Sequence, residues 1–145
     1  SNMSPHPVMF EGLLWKTTEH LFQALRFAQG DPMRSAIRAC PSPMGAKMIA
    51  KGGVFDMKVL PRSGPDVENM KLVLKLKVSQ HSDLLRDLLE TGDQQLVEDV
   101  SKRPSESGLF WGMALDMDGA PPGEWTGHNH LGNCWAELRK ALRWA

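Results

Sequence analysis

The segment from Trp15 to Phe27 constrains the fold of this chain most, because it has the pattern of one amphipathic helix. Thr17 or Thr18 can cap its start, and Glu19 then falls in the first turn, where a carboxylate suits the helix dipole. Apolar residues recur at helical spacing and predict one buried face. These residues are Leu21, Ala24, Leu25 and Ala28.

The same helix carries a second, polar stripe. Glu19, Gln23 and Arg26 recur at helical spacing and therefore share one face. An acid, an amide and a guanidinium beside aromatic rings could hold a polar, ring-containing ligand. The alternative is an ordinary solvated face on a core helix. The rings that bracket the stripe belong to Trp15, Phe22 and Phe27.

Length and composition predict one soluble domain. The chain has 145 residues, enough to bury a core without disulfides or a structural metal. Ser1 and Asn2 precede Met3 and are interpreted as a remnant of cloning, which leaves residues 3–145 as a single domain. No apolar run is long enough to span a membrane, and no signal-peptide pattern follows Met3, so we predict a cytoplasmic protein.

The charges are unevenly distributed although the net charge is zero. Residues 34–77 contain nine basic and three acidic residues, whereas residues 78–124 contain three basic and ten acidic residues. A neutral chain is no generic nucleic-acid binder, because non-specific affinity requires net neutralisation of phosphates. The basic region could still hold one or two phosphates, or it could be spread over solvated helix faces.

The pattern along the chain predicts a mainly α fold of about six helices with a small antiparallel β element. Asp31-Pro32 and Ser42-Pro43 are helix starts, because each places a capping side chain before a proline. The predicted helices cover residues 18–29, from 32, 43–52, 66–78, from 82 to Gly92, and 129 or 130 to 144. The predicted strands cover residues 8–10, 95–100 and 109–115.

Four ordered sets of residues resemble the NADAR superfamily, which includes the YbiA-like N-glycosidases. Together they extend over nearly the whole chain, and their order makes the resemblance specific. The first is Trp15, Thr17, Glu19-His20, Phe22-Gln23-Ala24 and Phe27; the second is Ser42-Pro43-Met44 with Ala46-Lys47. The third is Met70 to Lys77 with Gln80-His81, and the fourth is Thr91-Gly92, Leu96-Val97-Glu98, Trp111-Gly112, Gly127, Asn129 and Leu131-Gly132.

This resemblance implies an N-glycosidase that acts on a ribose phosphate joined to an exocyclic base nitrogen. The implied substrates are ADP-ribosyl-guanine in nucleic acid or ribosylamino intermediates of riboflavin synthesis, and no cofactor is expected. The alternative is a non-catalytic module that binds ADP-ribose or another nucleotide. A structural domain without a pocket is a third possibility.

The resemblance also implies three catalytic residues. Glu19 could bind ribose hydroxyls or stabilise positive charge that develops at the anomeric carbon. Glu98, predicted on a strand, could transfer a proton. Lys77 could attack the anomeric carbon and form a Schiff base, with Lys47 as the second choice. The implied substrate-binding residues are Trp15, His20, Gln23, Arg26, Lys47, Trp111, Gly112 and Asn129, and Asn129 could also cap the last helix.

The chain departs from the family pattern at three places. Arg26 stands where many members have lysine, and Gly108 stands where an aspartate is common. The usual Ser-Asn-Phe block before the first helix is not recognised. The segment His128-Asn129-His130 suggests a metal or a nuclease, but it lacks a third ligand at the usual spacing, so no metal is predicted.

Overall fold

The computed structural model describes residues 1–144, and the chain divides into two compact units, Ser1–Arg86 and the part from Asp87 onward. Seven α-helices, one 3₁₀ turn and two short antiparallel hairpins account for the regular structure of the described residues. The mainly α fold with a small antiparallel β element is therefore confirmed. Among the described helices, none combines the length and the apolar character needed to cross a membrane.

The first unit begins with a hairpin of β1 (Val8–Phe10) and β2 (Leu13–Trp15), which pairs Val8 with Trp15. Its turn consists of Glu11 and Gly12, both at positive φ, as a two-residue turn of type I′ requires. Only β1 was predicted. The helices that follow in this unit are α1 (Thr18–Ala24), α2 (Pro32–Ala39), α3 (Pro43–Gly52) and α4 (Gly64–Gln80), with a 3₁₀ turn at Val54–Asp56 between α3 and α4.

Helix α1 is the centre of this unit and packs against α2, α3 and α4. Its cap is Thr17, whose hydroxyl accepts the amide of His20. It ends at Ala24, earlier than predicted, because the Arg26 carbonyl accepts the amides of Lys58 and Val59 and so leaves the helical pattern. The core around it contains Leu21, Phe22, Phe27, Ile37, Ala46, Ala50, Met70, Val73 and Leu74.

The second unit contains α6 (Glu106–Trp111), β3 (Ala114–Leu115), β4 (Trp125–Thr126) and α7 (His130–Arg143), and α5 (Ser82–Glu90) spans the division between the units. The predicted strand at 109–115 is wrong over most of its length, because the Ser105 hydroxyl caps a helical turn by accepting the Gly108 amide. The predicted strand at 95–100 is also wrong. Only one parallel bridge, between Asp99 and Met113, forms in that segment.

Candidate functional site

The polar stripe of α1 forms a continuous chain of hydrogen bonds that ends on α4. Gln23 Nε2 donates to Glu19 Oε1 at 2.8 Å, and Arg26 Nη1 donates to Gln23 Oε1 at 3.0 Å. The guanidinium of Arg26 then makes two parallel bonds of 2.9 Å, from Nε and Nη2, to the two carboxylate oxygens of Asp66. The four side chains therefore position one another in series.

The side chains joined by these hydrogen bonds are buried, so the interpretation of the stripe as a solvated face is wrong. Glu19 is 7% exposed and Asp66 is fully buried. Burying two opposite charges is tolerable here because the pair is bidentate and its other polar atoms are occupied. The Asp66 carboxylate also accepts the amide of Arg62 at 2.9 Å, and Arg26 lies over the Phe22 ring at 4.8 Å.

Burial raises the pKa of the Glu19 carboxyl above its ordinary value of 4.5. The hydrogen bond from Gln23 and electrostatic interactions with Lys47, Arg26 and His20 oppose this rise but are smaller. Within residues 1–144, Oε1 accepts the Gln23 amide and Oε2 makes no hydrogen bond. Glu19 thus offers one oxygen to a ligand while the other fixes its orientation.

His20 is held by the protein on both ring nitrogens. Nε2 lies 2.9 Å from the Cys40 carbonyl oxygen, which can only accept, so we assign the proton to Nε2. Nδ1 lies 2.8 Å from the Thr17 hydroxyl, which can donate to it. His20 therefore fixes the start of α1 against the residues before α3, and it has no free ring nitrogen for a substrate.

Lys77 lies inside the first unit, 2% exposed, and does not extend to the surface. Its amine donates to the Ser1 carbonyl oxygen at 2.5 Å and to the Ser4 hydroxyl at 2.8 Å. The next residue, Asn2, accepts the Glu19 amide on its own carbonyl at 3.0 Å. Ser1 and Asn2, interpreted from sequence as a cloning remnant, thus lie between Lys77 and the start of α1.

Lys47 lies on α3 and is half-buried. Its positive charge lowers the pKa of Glu19 against the effect of burial, which places the amine within electrostatic reach of that carboxylate. No hydrogen bond occupies the Lys47 amine among the described residues. The two lysines therefore differ. The Lys77 amine is held by acceptors on Ser1 and Ser4, whereas the Lys47 amine is available near Glu19.

In the second unit the side chain of Asn129 holds the segment that carries Glu98. Asn129 Oδ1 accepts the Glu98 amide at 3.0 Å, and Nδ2 donates to the Leu96 carbonyl at 2.8 Å. Asn129 adopts a left-handed conformation and makes no side-chain cap on α7, so the predicted capping role is wrong. The Glu98 carboxylate itself is half-buried and makes no hydrogen bond within residues 1–144.

Two glycines of the family motifs allow this arrangement. A Cβ on Gly112 would overlap the Glu98 carbonyl oxygen, and a Cβ on Gly132 would overlap the Leu96 carbonyl oxygen. The Met113 amide donates to the Glu98 carbonyl at 2.8 Å and adds a further bond. The glycines are required by close packing of the backbone. Trp111, beside Gly112, is buried and packs edge-on to Phe110 with ring centroids 4.9 Å apart.

Trp15 is buried, and its indole Nε1 is the one buried side-chain nitrogen or oxygen without a hydrogen bond in the described part of the chain. Trp15 lines a pocket of about 280 Å³ between the hairpin and α2, together with Phe10, Arg34 and Arg38. Glu19 does not line this pocket. A bound ligand is one explanation for an unpaired buried donor, and the pocket is a second place where a ligand could lie.

No group of three or more possible metal ligands occurs in the part of the chain that the structure describes. The two histidine rings of the segment His128-Asn129-His130 pack with Phe110 instead. The centroid of the His130 ring lies 4.2 Å from that of Phe110 and 5.8 Å from that of His128. Burial and the nearby His128 lower the pKa of His130.

The predicted residues fall into two groups. The first unit holds Glu19, Gln23 and Arg26 in one chain of hydrogen bonds, and the second unit holds Glu98 on its Asn129 support. Sequence reasoning missed Asp66, which it used only as a helix start. The available signal was that Asp66 is one of three acids among the twelve charged residues of segment 34–77.

Comparison with known proteins identifies relatives along the whole chain. The family described as the NADAR domain matches residues 1–143, a range that includes Ser1 and Asn2. The N-glycosidase YbiA of Escherichia coli (strain K12) is 35% identical over 144 residues, which are 98% of this chain and 79% of that protein. An N-glycosidase of Nostoc punctiforme is 30% identical over 99% of this chain and 84% of that protein.

Two further matches concern substrate and fold. A riboflavin biosynthesis protein of Vibrio vulnificus is 26% identical over 99% of this chain but only 35% of its own length. The NMR structure of Escherichia coli YbiA matches with a TM-score of 0.72 and 31% identity, over 99% of this chain and 76% of that one. The predicted fold class therefore has a solved counterpart.

Proposed function

This chain belongs to the NADAR family, and on that basis we propose that it is an N-glycosidase that hydrolyses the bond between a ribose phosphate and an exocyclic base nitrogen. The observation that carries the proposal is Glu19, a buried carboxylate with a raised pKa, one oxygen fixed by Gln23 and the other available. Glycosidic bond cleavage develops positive charge at the anomeric carbon, and a positioned carboxylate stabilises that charge. A cytoplasmic location stays a prediction.

The remaining residues of the stripe would orient Glu19. Arg26 is fully engaged with Gln23 and Asp66, so it supports the carboxylate through Gln23 and keeps a positive charge near it. A chain of hydrogen bonds in a site of low polarity keeps its geometry during a reaction, which is the condition for electrostatic catalysis. Arg26, in place of the lysine of many members, is consistent with this supporting role.

A lysine would provide the covalent step. A ribosylamine can open to an imine, and a neutral lysine amine can add to C1. The base amine then leaves with a proton taken from water, and a lysine imine remains; a role of Glu98 as a proton donor stays a prediction. Water hydrolyses this imine and returns the lysine and the ribose phosphate. Lys77 is the proposed nucleophile, and Lys47, whose amine has no hydrogen bond among the described residues, is the second candidate.

Two substrate classes remain within this proposal. ADP-ribose joined to guanine in nucleic acid would use the basic region of the first unit for its pyrophosphate. A ribosylamino intermediate of riboflavin synthesis carries a simpler phosphate, and the match to a Vibrio vulnificus riboflavin biosynthesis protein favours including it. The protein should be incubated with each, and the released base followed by chromatography. Release from one substrate supports the proposal, and release from neither counts against it.

The second candidate is a non-catalytic module that binds ADP-ribose or a related nucleotide. Its motivation is the set of departures from the family pattern at Arg26, at Gly108 on α6 and at the N-terminal block. Calorimetric binding of ADP-ribose without any base release from either substrate would favour this module over the enzyme.

A further inference from the structure

The segment between α3 and α4 is pinned to the buried polar chain at two points. The amides of Lys58 and Val59 donate to the Arg26 carbonyl at 2.8 and 3.1 Å, and the Arg62 amide donates to the Asp66 carboxylate at 2.9 Å. Its position is therefore fixed relative to Glu19 and its support. What this segment exposes is consequently presented at a defined place beside the candidate site.

The exposed feature of this segment is Phe55, which has 99% of its surface in contact with solvent. A single exposed apolar side chain is common and needs no explanation. Phe55, however, is one of five large apolar residues that are exposed within a stretch of seventeen residues. The others are Met44, Met48, Val54 and Leu60.

Basic residues flank Phe55 on both sides. Lys51 and Lys58 are exposed, and neither amine makes a hydrogen bond or an ion pair within residues 1–144. Asp56 is the one acidic residue between Met44 and Arg62. The surface formed by Lys51, Phe55 and Lys58, called here the Phe55 surface, therefore combines unpaired positive charge with a free ring face.

Helix α3 connects the Phe55 surface to the candidate site. Lys51 lies one helical turn after Lys47. Helix α3, which carries Lys47, packs against α1, the helix that carries Glu19. Lys47 and Lys51 therefore place two positive charges on the helix that packs against α1 and precedes Phe55 in the chain. A ligand with repeating negative charges and flat rings could follow this path from the site outward.

We propose that the Phe55 surface binds a single-stranded nucleic acid whose modified nucleotide lies at Glu19. The Phe55 ring would stack on an unpaired base, and the amines of Lys51 and Lys58 would contact phosphates on either side. A duplex hides the faces of its bases, so single strands should be preferred. This inference rests on the proposed function only in placing the modified nucleotide at Glu19.

The test measures binding of an unmodified strand, so it requires no turnover. Fluorescence anisotropy should be recorded with a short fluorescein-labelled oligothymidylate and with the same strand in a duplex. Phe55→Ala should weaken single-strand binding by about tenfold, because stacking on one base is lost. Lys51→Gln and Lys58→Gln should each lower the slope of log affinity against log salt by about 0.7, because one phosphate contact is lost.

Trp144→Ala and Lys140→Gln are matched controls, because both residues are exposed in the second unit. They should bind like the wild type. Three results would overturn the proposal: no single-strand binding by the wild type, unchanged binding by Phe55→Ala, or binding to anionic vesicles that depends on Phe55 while oligonucleotide binding does not. Absence of base release in parallel assays would overturn the proposed glycosidase function. The proposal for the Phe55 surface would then be decided by the anisotropy measurements alone.

Discussion

Glu19 experiences two opposing influences on its ionisation. Burial favours the neutral carboxyl and raises its pKa, whereas the Gln23 amide and the charges of Lys47 and Arg26 favour the carboxylate. Burial is the larger influence. A folded protein that keeps such a group loses stability as the group ionises, a cost that a catalytic site can carry.

The raised pKa predicts how the stability of Glu19→Gln depends on pH. In the wild type, Glu19 is protonated in both the folded and the unfolded protein below the unfolded pKa of 4.5. As pH rises from there through the higher pKa of the folded protein, the folded state loses stability relative to the unfolded state. Glutamine keeps the acceptor for Gln23 and does not ionise. The free energy of unfolding of Glu19→Gln, relative to wild type, should therefore increase as pH rises above 4.5.

Urea unfolding across a pH series measures this difference. Glu68→Gln is the matched control, because the Glu68 side chain is 71% exposed on α4. A difference between Glu19→Gln and wild type that stays constant with pH, or that decreases, would contradict the assignment of a raised pKa to Glu19.

Asp66 is predicted to be essential for stability because it is the only carboxylate paired with buried Arg26 in the described residues. Asp66→Asn leaves the guanidinium charge uncompensated and should lower the free energy of unfolding by about 3–5 kcal/mol. The double variant Arg26→Met, Asp66→Leu removes both charges and should recover part of that loss. Chemical denaturation of the three proteins measures both effects. A loss below about 1 kcal/mol in Asp66→Asn would mean that the pair is not buried.

The choice of nucleophile is tested by borohydride trapping. Reduction during turnover should link the ribose phosphate covalently to the protein, and mass spectrometry of peptides locates the lysine. Lys77→Ala should abolish the adduct if Lys77 is the nucleophile. An adduct that persists in Lys77→Ala and disappears in Lys47→Ala would transfer the role to Lys47. Lys75, exposed on the same helix as Lys77, provides the control in Lys75→Ala.

At the scale of elements, the second unit depends on the close approach of α7 to the Leu96–Glu98 segment. Gly132→Ala should be strongly destabilising, because its Cβ would overlap the Leu96 carbonyl oxygen and the Asn129 side-chain amide. We expect a loss of about 2–4 kcal/mol, in the range of overpacking with disruption of a hydrogen bond. Gly52→Ala is the matched control, because nothing lies within 4 Å of the added Cβ.

Thermal and chemical unfolding compare the two alanine variants. Gly52→Ala should be neutral or stabilising by about 0.5–1 kcal/mol, since alanine restricts the unfolded chain. Equal effects of the two substitutions would show that Gly132 has no special role in positioning Glu98.

Helix starts could be predicted from the sequence because capping is local. Asp31-Pro32 and Ser42-Pro43 each place an acceptor before a proline, and both helices begin where predicted. The segment 109–115 was predicted wrongly because Leu109, Phe110 and Trp111 are compatible with a strand by composition. The Ser105 cap that makes this segment helical was not recognised.

The candidate site was predictable only in part, because local spacing is visible in the sequence and contacts between distant residues are not. The spacing of Glu19, Gln23 and Arg26 placed them on one face, and the structure joins them by hydrogen bonds. Their burial depends on Asp66, forty residues further along the chain, and no local pattern identifies that partner. The support of Glu98 by Asn129 likewise depends on a contact between residues distant in sequence.

At the scale of the whole molecule, the charges separate along the chain. The basic segment 34–77 lies in the first unit, and nearly all of the acidic segment 78–124 follows in α5 and the second unit. The net charge of zero therefore conceals a first unit suited to phosphates. The proposed substrates are all phosphorylated, and the likeness to YbiA extends over both units.

The central claim is that Glu19 acts in the cleavage of an N-glycosyl bond, and the kinetics of Glu19→Gln test it most directly. Base release by wild type, Glu19→Gln and the exposed control Glu68→Gln should be measured under saturating substrate, with substrate affinity determined separately. We predict that kcat of Glu19→Gln falls by about 100-fold while affinity changes little, because the lost charge acts in the transition state. Wild-type kcat in the folded Glu19→Gln protein would contradict the account.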